Sequence, residues 1–193
     1  YYALVELTSP RAEDDLAQVL ETVLGGAMEA GAVLDAVIAG SEGQRQDLWR
    51  IRESIPEAQK SEGASIKHDV SVPVSAVPAF MHRAIALCEK AIPGVRPVAF
   101  GHVGDGNIHY NLSQPEGADP AAFMARREAI NEKVHDLVAE LHGSFSAEHG
   151  VGQLKIPDMT RYKSAVEVKL MRRVKAALDP AGILNPGKVV PPA

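Results

Sequence analysis

Cysteine is nearly missing from this sequence. Of 193 residues only Cys88 is a cysteine, which excludes an intrachain disulfide and a cysteine-rich zinc site. Its apolar setting, AIALCEK, reads as a small buried hydrophobe. Aromatics are scarce at 5%, and the one tryptophan, Trp49, sits in a helical pattern where core packing is the expected role. No apolar run reaches the ~18 residues needed to span a bilayer, and no basic-then-apolar leader opens the chain. There is no basic excess either. The formal net charge is −5, so no nucleic acid is expected as partner. An initiator methionine is also lacking before Tyr1-Tyr2-Ala-Leu-Val-Glu-Leu, a segment already rich in strand formers. The expectation is a piece of a longer protein, with elements upstream that pair with it.

What is present, 46% hydrophobic and 23% charged residues, suits one soluble domain over 1–193. Alternation predicts strands at 1–7, 33–39 and 66–73. Helical spacing predicts helices at about 12–30, 42–58, 74–90, 120–141 and 165–178. VRPVAFGHV and NIHYNL flank Gly104-Asp105-Gly106, a strong hairpin signal. SFSAEHGVG reads as a short strand running into a glycine-rich loop, and LDPAGILNPGKVV has too many breakers for regular structure. Helices alternate with strands, yet the hairpin demands antiparallel pairing. The fold class is therefore α+β, a ferredoxin-like sandwich with helices packed on an antiparallel sheet and a C-terminal helical tail.

GHVGDGNIHYN is the most informative stretch. With Asp105-Gly106 as a two-residue turn, Gly104 faces Asn107 and His102 faces His109. Directly opposed residues project from one face with Cβ atoms about 4.5–5.5 Å apart, close enough for two imidazoles to share a divalent metal. Asn111 lies two residues beyond His109 and shares that face. The plainer alternative is a set of polar residues on the wet side of a sheet. SAEHGVG offers Glu148 as a third ligand, completing an open two-histidine, one-carboxylate set. Next to it His149 is placed to act as a base. Here the alternative is a capping glutamate and a surface histidine.

Arg52 lies on a helix that ends near Pro56 and Lys67 begins the following strand, so both cations could reach one pocket and hold a carboxylate; solvated surface cations are the competing reading. Arg45, Arg50, Lys60 and Lys155 are read as solvated. His68, His82, His135 and His142 lack a partner at ligand spacing and are read as structural or exposed.

Four blocks, LWRIRESIPEA, IKHDVSVP, GHVGDGNIHYN with SAEHGVG, and LDPAGILNPGK, make the sequence similar to the C-terminal domain of FAD-linked oxidases of the vanillyl-alcohol-oxidase superfamily. It looks closest to the D-2-hydroxyglutarate and D-lactate dehydrogenases and the glycolate oxidase flavin subunit. The resemblance implies that His102, His109 and Glu148 hold a divalent metal, usually zinc, and that His149 is the catalytic base. It implies that Arg52, Lys67 and Asn111 bind the substrate's carboxylate and oxygens. It also brings Asn185 of NPGK near the flavin. Where dehydrogenases for 2-hydroxyglutarate often carry a hydroxyl residue, this chain has Pro56.

The activity so implied is oxidation of a D-2-hydroxy acid to the 2-oxo acid, with FAD bound mainly by an N-terminal domain of the same polypeptide. An electron-acceptor protein or quinone, a homo-oligomer, and a cytoplasmic or inner-membrane-peripheral location are expected with it. Two other readings use the same residues: a flavin-free metal hydrolase, and a non-catalytic carboxylate-binding module.

Overall fold

In a strand, side chains alternate between two faces, and the chain uses that alternation to separate a dry surface from a polar one. The computed structural model describes residues 1–191; the last two positions of the expected domain lie outside the described residues. The chain divides into two units, Tyr1–Ser61 and Glu62–Ala193.

The second unit is built on a three-stranded antiparallel sheet. β1 spans Ser65–Ser71, β2 Arg96–His102 and β3 Asn107–Ser113, in the order β1-β3-β2. Ile66 and Val70 of β1, with Ile108, Tyr110 and Leu112 of β3, point to one face and are buried. There they join Val77, Phe80, Ala84 and Cys88 of α3 (Val77–Ala91) and Ile130, Val134, Leu137 and Val138 of α5 (Arg127–Glu140). Each large side chain so buried contributes roughly 1.5–3 kcal/mol. Cys88 is fully buried in this core, as its sequence setting predicts, and burial pushes its thiol pKa up to about 11.

Beyond β1 lies a frayed fourth strand. Ser71 and Ser144 exchange main-chain hydrogen bonds of 2.9 and 2.8 Å, and Ala147 N–H donates to the Asp69 carbonyl at 3.2 Å. Residues 144–147 thus run along β1's outer edge. Counting that bridge, the order of elements is β-α-β-β-α-β, the split βαβ pattern of a ferredoxin-like sandwich.

Other expectations need correction. The hairpin is not closed by a two-residue turn. Val103–Asp105 forms one 3₁₀ turn and Gly106 adopts a left-handed conformation (φ 73°), so the loop holds four residues. The register follows: His102 pairs with Asn107, and His109 pairs with Phe100 rather than with His102. The helix expected over 120–141 is broken into α4 (Pro120–Met124) and α5. A further helix not anticipated, α6 (Ile156–Tyr162), precedes α7 (Ala165–Leu178), which opens on a Ser164/Glu167 capping box. The tail after Leu178 is irregular, as expected.

The first unit contains α1 (Leu16–Glu29), capped by Asp15, and α2 (Glu42–Ala58), capped by Ser41, with Pro56 near its end. Neither helix has a buried residue. Segments 1–7 and 33–39 are not strands. Their β-forming composition is real, but a strand exists only by its ladder, and neither finds one among the described residues.

Candidate active site

The second face of the sheet carries most of the polar side chains singled out in the sequence. Parity sends Lys67, Asp69 and Ser71 of β1 to the side opposite Ile66 and Val70. β3 contributes Asn107, His109 and Asn111, and β2 contributes Val98, Phe100 and His102. The register arranges them in three rows: Lys67–Asn111–Val98, Asp69–His109–Phe100 and Ser71–Asn107–His102.

The middle row is the centre. Asp69 is only 3% exposed, and its Oδ1 lies 3.7 Å from His109 Nδ1. Its Oδ2 accepts main-chain N–H bonds from Glu148 at 2.9 Å and His149 at 2.8 Å. The loop after the frayed strand is therefore held against the sheet. Glu148 turns its carboxylate inward: Oε2 is 3.8 Å from His109 Nε2, and Oε1 accepts from Asn107 Nδ2. His149 stacks toward His109, with ring centroids 5.8 Å apart and planes 24° from parallel. Its Nδ1 is 3.7 Å from Asp69 Oδ2, while its side chain stays 66% exposed.

Burial alone would raise the Asp69 pKa. The two N–H donors from His149 and Glu148, with the charges of His149 and Lys155, outweigh it and hold the carboxyl below its ordinary range. Lys155 sits under the same loop. Its ammonium donates to the Phe145 carbonyl at 3.1 Å and to Ser146 Oγ at 3.0 Å. Burial pulls the Lys155 pKa down, and the carboxylates of Asp69 and Asp158 pull it partly back.

Donor atoms that could serve a divalent cation are gathered here. One such atom each from Asp69, His109 and His149 lies within 4.8 Å of the others, a group that includes neither Glu148 nor His102, and Asp69 Oδ1, on the Nδ1 side of the His109 ring, is a buried oxygen with no hydrogen-bond partner. Two donors on a tetrahedral zinc sit about 3.4 Å apart, close to the 3.8 Å between His109 Nε2 and Glu148 Oε2.

Of the residues singled out in the sequence, His109, Glu148 and His149 are brought together. Lys67 and Asn111 stand directly opposite each other one row away. His102 is exposed at the far end of the same face, diagonal to His109, and does not join the group within 4.8 Å. Arg52 lies half-buried on α2, in the first unit. Asn185 is exposed in the tail and accepts from Lys188 Nζ at 3.2 Å. The same tail reaches the glycine loop, where Val189 N–H donates to the Gly152 carbonyl at 2.8 Å.

Sequence reasoning missed Asp69, Asn107 and Lys155. Asp69 carried a usable signal, an acid in mid-strand on the same face as Lys67. Lys155 carried none, and instead of being a solvated cation it is half-buried beneath the loop. His68 and His135 are buried within the fold, as expected of structural histidines.

The family model described as FAD linked oxidases, C-terminal domain, matches residues 1–189. Similar proteins include D-2-hydroxyglutarate dehydrogenase of Stutzerimonas stutzeri (strain A1501), 41% identical over 98% of this chain and 40% of that protein. A second is D-2-hydroxyglutarate dehydrogenase of Xanthomonas citri pv. viticola, 43% identical over 84% of this chain and 34% of that protein. The mitochondrial D-2-hydroxyglutarate dehydrogenase of Rattus norvegicus is 38% identical over 99% of this chain and 34% of its own length. The chain thus spans between a third and two fifths of the relatives it matches.

Proposed function

Because the chain belongs to the FAD-linked oxidase C-terminal domain family, we propose that it is the substrate- and metal-carrying part of a flavin-linked D-2-hydroxy-acid dehydrogenase. Among such acids the 2-hydroxyglutarate class is favoured over lactate, by the names of the relatives. The observation that carries the reading is the meeting of His109, Glu148 and His149 around Asp69 on one sheet face.

His109 and Glu148, with His102 from the same face, would hold a divalent cation such as zinc. When bound, the cation makes the substrate hydroxyl more acidic and the flavin accepts the hydride. The rest falls to side chains. His149 turns Nδ1 toward Asp69, which leaves Nε2 to take the hydroxyl proton. Lys67 and Asn111, opposed in one row, would hold the carboxylate from the sheet. Held so, Cα is oriented for transfer and cannot turn its hydrogen away. Asn185 would lie toward the flavin. A flavin domain, an electron acceptor and a homo-oligomer belong to the same reading.

The test is turnover of a panel of D- and L-2-hydroxy acids by the full-length protein. Wild type should oxidise D-2-hydroxyglutarate with a dye acceptor. His149→Ala should lose about 10²-fold or more in kcat while retaining its metal. His102→Ala should lose the metal itself. Full activity in His149→Ala, or no turnover of any 2-hydroxy acid by wild type, would end the reading.

A further inference from the structure

The site is assembled from two parts that are far apart in sequence. His109 stands on a strand inside the sheet, whereas Glu148 and His149 stand on a loop. That loop has no regular ladder beyond the Ser71–Ser144 bridge and the Ala147 bond. Something must fix how far Glu148 and His149 stand from His109.

We propose that Asp69 is the positioning residue of this site: its carboxylate clamps the main chain of Glu148 and His149 to β1 and thereby sets both side chains against His109. The proposal rests on the functional reading above and adds a residue to it.

Three observations support the role. First, one oxygen, Oδ2, accepts both loop N–H groups at 2.9 and 2.8 Å, and charged acceptors make the stronger bonds. The residues so held are the two that bear the loop's acid and imidazole. Second, the other oxygen, Oδ1, is buried, lacks a hydrogen-bond partner and lies 3.7 Å from His109 Nδ1. A purely structural tie needs only Oδ2, and a second buried charged oxygen is costly unless it serves the ring it faces. A carboxylate beyond a ligating histidine fixes the ring and its tautomer. Third, the loop is braced by further contacts. Lys155 holds the Phe145 carbonyl and Ser146 Oγ, Ser146 Oγ donates to the Gly150 carbonyl at 2.7 Å, and Asn107 holds the Glu148 carboxylate. The ammonium also supplies the opposite charge that a buried carboxylate requires.

The experiment uses the full-length protein and two readouts besides turnover: amide hydrogen exchange over residues 144–152, and zinc affinity by chelator competition. In wild type the Glu148 and His149 amides should be protected. In Asp69→Ala they should exchange about tenfold faster or more, with the β3 amides unchanged. Zinc affinity should fall about tenfold or more, the range for loss of a group that orients a ligand, and kcat should fall more than KM rises. Asp69→Asn keeps one acceptor oxygen and the volume, so it guards against a variant that fails to fold; exchange at the two amides should rise several-fold and zinc bind more weakly.

Unchanged amide exchange in both variants would overturn the proposal. So would faster exchange with unaltered zinc affinity, because the tie would then be structural only. If wild type binds no zinc and oxidises no hydroxy acid, the functional reading fails, and unprotected amides at 148 and 149 in that same protein would separately refute the clamp.

Discussion

His68 shows how much one step along a strand changes a residue's task. It is adjacent to Asp69 but faces the core, 3% exposed, with Nδ1 2.7 Å from the Tyr110 carbonyl. A carbonyl only accepts, so Nδ1 carries the proton in the neutral ring. Burial drives its pKa down to about 4, against the opposing effect of the Tyr110 hydrogen bond and with help from the charge of His135. The sign of the linkage follows. Above the ordinary value of 6.5 both folded and unfolded chains hold the ring neutral, and the group favours neither. Below it the unfolded chain takes a proton that the fold refuses, so stability falls with falling pH until the folded pKa is reached. The full loss is on the order of 3 kcal/mol. Urea unfolding at pH 7.5 and 4.5 should therefore show a larger drop for wild type than for His68→Gln, by about 2–3 kcal/mol. Equal drops would mean that the ring accepts its proton in the folded state.

At the scale of elements, glycines decide where the edges of the sheet may go. Gly106 has φ 73°, and a Cβ there would sit 1.9 Å from the Val72 carbonyl oxygen. Gly143 would place its Cβ 2.2 Å from the Ser71 carbonyl oxygen, where the frayed strand meets β1. Gly104 has nothing within 4 Å. Ala at 106 or 143 should each cost about 3 kcal/mol or more, since backbone cannot yield as a side chain can. Ala at 104 should stay within about 0.5 kcal/mol of wild type in the same urea titration.

These glycines also explain what the sequence could convey. Gly104-Asp105-Gly106 announced a hairpin, and the hairpin is there. It did not announce how many residues the turn would use, because Val103 enters the 3₁₀ turn without any turn-forming mark. The register is consequently displaced by two. A displacement by two preserves parity, so His102, His109 and Asn111 kept their shared face while His109 exchanged His102 for Phe100 as neighbour. The strands expected at 1–7 and 33–39 failed for a different reason, since composition sets a preference and only a neighbour makes a ladder. Asp69 could be picked out by its place in mid-strand beside Lys67, but its role could not, because its main-chain partners are distant in sequence; Lys155 was illegible because it stands next to a loop of unknown path.

For the whole molecule, the core and the site coincide in one unit. The buried hydrophobic core among the described residues falls between Ile66 and Val168, and α1 and α2 bury none. Asp69, His109, Glu148, His149, Lys67 and Asn111 all stand in the same unit, Glu62–Ala193. Of the substrate contacts expected from the sequence only Arg52 belongs to Tyr1–Ser61. Hydrophobic burial is the main favourable term in folding, so a polypeptide of residues 62–193 should fold alone and one of residues 1–61 should not. Circular dichroism with urea is expected to give one cooperative transition for the longer piece and none for the shorter. Zinc at 100 times its dissociation constant should then raise the stability of the 62–193 piece by about 2.7 kcal/mol, and His109→Ala should abolish that gain. The same piece should turn over no hydroxy acid, because the proposed reading gives the hydride to a flavin held elsewhere in the full-length protein. A cooperative fold that zinc does not stabilise would leave the core argument standing and remove the metal site. A piece that does not fold would mean that the sheet depends on the first 61 residues for more than its buried side chains reveal.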